Sequence, residues 1–119
     1  MYSQNDSIYT FVEEYAEFPG GFLECKKYIE SHIKYQNLSN SSIQGVTFVS
    51  FIVSKNGELS NFQIHKSFDG CQECDIQSLE IAKNMPPWIP ARNQGINVSS
   101  KFYLPIRFND GINNGKKKK

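Results

Sequence analysis

Gly45-Val46-Thr47-Phe48-Val49-Ser50-Phe51-Ile52-Val53-Ser54-Lys55-Asn56-Gly57-Glu58-Leu59 is the stretch that decides the fold of this chain. Thr47, Val49, Phe51 and Val53 fall on one side of an extended backbone, and Val46, Phe48, Ser50, Ile52 and Ser54 on the other. Both sides are rich in β-branched and aromatic residues, which predicts a strand. Asn56-Gly57 tolerates the positive φ angles of a tight primed turn, so a hairpin follows. The returning strand carries Leu59, Phe62 and Ile64. Leu59 and Phe62 are an odd number of positions apart and cannot share a face of a regular strand. A bulge or a late strand start is therefore expected near Ser60-Asn61.

Upstream, the period is helical. After the punctuation of Pro19, Gly20 and Gly21, the residues Phe22, Cys25, Ile29 and Ile33 recur on one helical face, with Glu24, Lys26, Lys27, Glu30 and Lys34 around them. A helix over 20–34 is predicted, followed by an Asn- and Ser-rich loop at 38–42. Before it, Ile8 to Phe11 alternate enough for a short lead-in strand.

Downstream of a turn at Asp69-Gly70, Asp75 is a suitable N-cap for a second helix over 75–85 with Leu79, Ala82 and Met85 on one stripe. Pro86-Pro87 stop it. Trp88 comes where the helix is forced to end and is expected to fold back over the core. Residues 90–97 read as a loop and 98–108 as a last strand. There Ser100, Phe102, Leu104, Ile106 and Phe108 share one face, and Lys101, Tyr103, Pro105 and Arg107 the other. Pro105 has no amide proton, so the strand is expected at a sheet edge, where another chain can pair with it. The sum is an α+β fold with two layers, both helices packing on one face of an antiparallel sheet.

The chain has 119 residues, 39% hydrophobic and 13% aromatic, enough for one domain with its own core. Its apolar runs are far too short to cross a bilayer. Thirteen basic against 12 acidic residues give a net charge of +1, but setting aside the four lysines 116–119 leaves −3. A mildly acidic body with a basic tail does not fit a nucleic-acid reader, which concentrates Lys and Arg on a folded face. The first ten residues have neither the basic start nor the apolar stretch of a signal peptide. Three regions are expected: a loose lead-in at 1–11, the domain at 12–108, and a flexible Lys-rich tail at 109–119.

Cys71-Gln72-Glu73-Cys74 has the spacing of half a zinc site or of a thiol-disulfide enzyme. For zinc, the remaining ligands must come from Cys25, His32 and His65, none of which forms a second close pair. For redox catalysis, the motif follows an antiparallel hairpin rather than a parallel strand-helix unit. A loop disulfide or two free thiols is the simpler reading. Cys25, on the apolar stripe, reads as a small buried hydrophobe. His32 and His65 have no Ser, Cys or carboxylate motif around them, and Glu13, Glu14 and Glu17 read as a solvated acidic face. No phosphate-cradling loop, metalloprotease helix or nucleophile elbow occurs, so neither enzymatic activity nor a cofactor is expected.

Glu17-Phe18-Pro19-Gly20-Gly21, Gly45 before the alternating strand, Lys55-Asn56-Gly57, Cys74-Asp75, Met85-Pro86-Pro87-Trp88-Ile89-Pro90 and Leu104-Pro105-Ile106-Arg107-Phe108 occur in that order. Together they resemble the TonB C-terminal domain of energy transducers, in its Bacteroidetes form, over roughly 12–108. The resemblance implies a three-stranded antiparallel sheet backed by two helices, working in the periplasm. It also implies a binding function in energy-dependent transport. The last strand would pair with the TonB box, a short N-terminal segment of an outer-membrane transporter, and pass on force from the inner-membrane ExbB/ExbD complex.

Partner contacts are then expected from Ser100, Lys101, Phe102, Tyr103, Leu104 and Arg107, with Tyr35 and Gln36 touching the transporter's globular part. The family's Tyr-Pro motif maps to Tyr35-Gln36, where glutamine stands in place of proline. Full transducers carry a membrane anchor and a proline-rich spanner, which this sequence lacks. Two readings therefore stand beside each other: a domain of a transducer anchored to the inner membrane through an upstream segment, with ExbB/ExbD as partner only then, or a stand-alone periplasmic binding module without energy transduction. A Cys-x-x-Cys redox or zinc protein is a third reading. The same open edge permits strand exchange into a homodimer.

Overall fold

The computed structural model describes residues 7–38 and 43–109. In chain order the elements are β1 (Ile8–Tyr9), α1 (Phe22–His32), a 3₁₀ turn (Tyr35–Asn37), β2 (Gln44–Val53), β3 (Leu59–Lys66), α2 (Gln72–Lys83), β4 (Ala91–Asn93) and β5 (Ile96–Asn109). The sheet order is β1-β5-β2-β3, with β4 paired to β5. The expected α+β architecture is present. Its antiparallel centre β5-β2-β3 is extended by β4 and by β1, which runs parallel to β5.

The alternation in β2 explains its central place. Thr47, Val49, Phe51 and Val53 are fully buried, and they form the floor on which the helices lie. The β2–β5 ladder is regular from Gln44↔Asn109 to Val53↔Ser100. Between β2 and β3 the register slips, with Ser50 opposite Gln63 but Ile52 opposite Ser60, and Asn61 takes a φ of 55°. This is the expected bulge. It lets Leu59, Phe62 and Ile64 all pack against the core.

The 54–58 turn differs from the primed geometry expected of it. Only Gly57 has positive φ (89°), and Ser54 does the rest: its Oγ accepts from the N–H groups of Asn56 and Glu58, each at 3.1 Å. The primed-type turn lies elsewhere. Residues 90–97, expected as a loop, contain the β4–β5 hairpin, whose Gln94 and Gly95 have φ of 52° and 77°. Positive φ at a non-glycine residue is rare enough that sequence patterning passes over it.

α2 begins earlier than expected. Gly70 (φ 86°) turns the chain, Cys71 becomes the N-cap, and the Cys74 N–H donates to its Sγ at 3.1 Å. Asp75 therefore sits inside the first turn and does not cap. Its Oδ1 accepts from Thr47 Oγ1 (2.9 Å) and from the Phe68 N–H (3.0 Å), tying α2 to β2. The helices are joined by the Tyr28 hydroxyl, which donates to the Ile81 carbonyl at 3.3 Å. Trp88, 4% exposed, packs edge-on against Phe18, Phe51 and Phe102. Among the described residues its Nε1–H has no hydrogen-bond partner, so the ring itself is held by packing rather than by a side-chain hydrogen bond. Loop residues 39–42, most of the loose start and the Lys-rich tail from 110 lie outside the described residues.

Candidate functional site: the outer edge of β5

The main chain of β5 beyond Ser100 has β2 on one side and no strand on the other among the described residues. At its end the Asn109 N–H donates to the Tyr35 hydroxyl at 2.8 Å, pointing away from β2. A regular antiparallel ladder alternates, so residues 101, 103, 105 and 107 also turn their main-chain groups outward. The absence of an N–H at Pro105 thus removes nothing from the β2 ladder, in which Pro105 lies opposite Phe48.

Both ends of this edge are closed. Ser99 and Ser100 are paired with Ile8 and Tyr9 of β1, and 96–98 with β4. At the far end Tyr35 occupies Asn109, its ring edge-on to Phe108 at 6.3 Å. The open stretch is 101–107.

A groove of about 300 Å³ runs beside the edge. One wall is α1, through Phe22, Cys25, Lys26, Ile29 and Glu30, and the other is Leu104, Pro105, Arg107 and Asn109, with Tyr35 at one end. Phe22, read as part of the buried stripe, is 77% exposed. It is the first helical residue, and Gly21 before it (φ 94°) provides no side-chain cap. The stripe is one residue longer than the core can cover.

The sequence-derived contact residues divide by face. Lys101, Tyr103 and Arg107 lie on the side away from the helices, where Lys101 Nζ is 5.7 Å from the Tyr103 ring and the His65 ring is 4.6 Å from it. Ser100 is buried and paired on both sides. Phe102 packs on Trp88 and Phe51, and by the same alternation its main-chain groups face β2 rather than the open side. Leu104 is part of the groove wall opposite α1. Tyr35 closes the edge, and Gln36 is exposed beside it in the 3₁₀ turn. Sequence reasoning missed Phe22, Lys26, Ile29 and Glu30 as groove wall. The available signal was the surplus Phe22 at the head of the stripe.

The thiol chemistry is quiet. Cys71 and Cys74 form a disulfide with Cα atoms 5.2 Å apart, and both are buried, which denies an attacking thiolate access. Cys25 is 5% exposed, and burial pushes its thiol up to about 11, so it stays protonated at neutral pH. His32 stacks on Tyr28 at 4.1 Å, with its Nδ1 2.7 Å from the Tyr28 carbonyl. Among the described residues no three His, Cys, Asp or Glu side chains converge as metal ligands, and no helix is long and apolar enough to cross a membrane.

The family model described as Gram-negative bacterial TonB protein C-terminal matches residues 36–109. The match runs from the 3₁₀ turn through the end of β5. No curated protein and no solved structure matches the chain.

Proposed function

The chain belongs to the Gram-negative bacterial TonB C-terminal family, whose domains work in the periplasm with outer-membrane transporters, and on that footing we propose that its β5 edge binds a transporter's TonB box by strand addition. The observation that carries this reading is the open stretch 101–107, whose outward main-chain groups meet no strand among the described residues. An extended segment laid along it would satisfy them with main-chain hydrogen bonds. Each such bond exchanges for one to water and nets only about 1 kcal/mol, so main-chain pairing alone gives weak binding and little selectivity.

Lys101, Tyr103 and Arg107 supply side-chain contacts on the outer face, and Tyr35 and Gln36 stand where the globular part of a transporter would approach. Affinity in the micromolar range is expected, because a short peptide must also be ordered. In a full transducer the same contact would carry force from ExbB/ExbD through an anchor and spanner; in a stand-alone module it would be binding alone. The function is thus recognition of another protein rather than catalysis.

Titration of a TonB-box peptide into isotopically labelled protein tests this. The amides of Lys101, Tyr103 and Arg107 should shift first. Shifts confined to the 54–58 turn would exclude the β5 edge.

A further inference from the structure

We propose that the groove between α1 and β5 receives an apolar side chain of the added strand and thereby fixes its register. The inference rests on the strand-addition reading above and adds what the partner must look like. Paired strands place directly opposite residues on the same face of a sheet. A partner residue opposite Leu104 therefore points, as Leu104 does, toward the helices, and enters the space bounded by Phe22, Cys25 and Ile29.

Main-chain pairing repeats every two residues and cannot by itself choose between registers. Two features of this edge break the repeat. Pro105 offers a carbonyl but no donor, and the groove is local to Leu104 and its neighbours. The occupant is an extended segment of another protein with an apolar residue facing inward. Its outward residues meet Lys101 and Arg107, while the β5 stretch 96–108 contains no acidic residue, so acidic or polar residues fit there. The exposed main chain beside the groove is what argues for a strand, because a helix laid there would leave those donors and acceptors unpaired.

The test uses two short synthetic peptides of alternating residues, valine and threonine in one and serine and threonine in the other, with labelled protein observed at the 101–107 amides and the Ile29 methyl. The valine peptide should bind about tenfold more tightly, the worth of burying a branched aliphatic side chain. It alone should move the Ile29 methyl. The difference should disappear in Phe22→Ser and return in Phe22→Leu; Phe22 is exposed, so the amide spectrum should otherwise keep its dispersion.

Equal affinities with shifts along 101–107 and a still Ile29 methyl overturn the groove assignment and leave strand addition standing. A moving Ile29 methyl with unmoved 101–107 amides overturns strand addition and the register argument with it. Sedimentation showing a dimer that either peptide dissociates would make a second copy of the chain the occupant, contrary to the proposal.

Discussion

The Trp88 N–H donates to the Gly57 carbonyl at 2.9 Å, and a Cβ built on Gly57 would lie 2.3 Å from the Trp88 carbonyl oxygen. The tip of the β2–β3 hairpin and the segment that leaves α2 thus meet backbone to backbone. This contact seats Trp88 over Phe51 and Phe102, and it aligns the chain as it enters β4 and β5.

Gly57→Ala should therefore be costly for two reasons. The substitution meets a main-chain oxygen that cannot swing aside, and it forces a φ of 89° on an L side chain. The conformational part alone is about 1–2 kcal/mol. Urea denaturation should show a loss at least that large, whereas Asn56→Ala, with ordinary φ, should lose much less.

Tyr103→Pro should spare the fold and weaken peptide binding. The Tyr103 N–H points to the open edge, so the β2 ladder loses nothing, as already happens at Pro105. Calorimetric titration should show about a tenfold or greater loss, with an unchanged melting temperature within a few degrees. Leu104→Pro, whose N–H faces β2, should unfold the protein.

β1 caps the upstream end of the same edge through pairing at Ile8 and Tyr9, both exposed. Removing residues 1–9 should free Ser99 and Ser100 and lengthen the accessible edge. A peptide long enough to use them should bind several-fold more tightly, and amide shifts should extend to Ser99.

Reduction of Cys71–Cys74, or a double replacement by serine, should lower stability by about 2 kcal/mol, the loop-closure value for so short a ring. The fold should persist, since Asp75 still anchors the first turn of α2. Urea curves with and without reductant measure this. Chelators should have no effect on either form.

Cys25 should make the protein less stable at alkaline pH. Its thiol is raised from 9.0 to about 11 by burial, so the folded state holds the proton more tightly than the unfolded one. Stability from this group is complete below about pH 9 and falls as pH rises toward 11. Tyr28, raised by burial and then by the Cys25 charge, acts in the same direction. Denaturation midpoints at pH 8 and pH 10 should differ less in Cys25→Ala than in the parent.

Local periodicity was sufficient for the strand 44–53, for both amphipathic helices, for the bulge and for an open outer side at Pro105, because each follows from side-chain alternation or from the loss of one donor within a few positions. That β1 flanks the start of the same strand, so that β5 is not the outermost strand, was not expected. The turn at Gln94-Gly95 was not legible, because nothing in the sequence demands positive φ of a glutamine; the sheet closure at Ala91–Asn93 imposes it. Nor was the N-cap of α2, since Asp75 is drawn away by Thr47, a residue 28 positions distant. The site divides in the same way. That β5 presents an open side is written in Pro105, but where it begins and ends depends on β1 and on the Tyr35 hydroxyl, and its groove exists only because α1 and β5 come together in the fold. Those are contacts between segments far apart in the chain, and the side-chain pattern of neither segment alone encodes their separation in space.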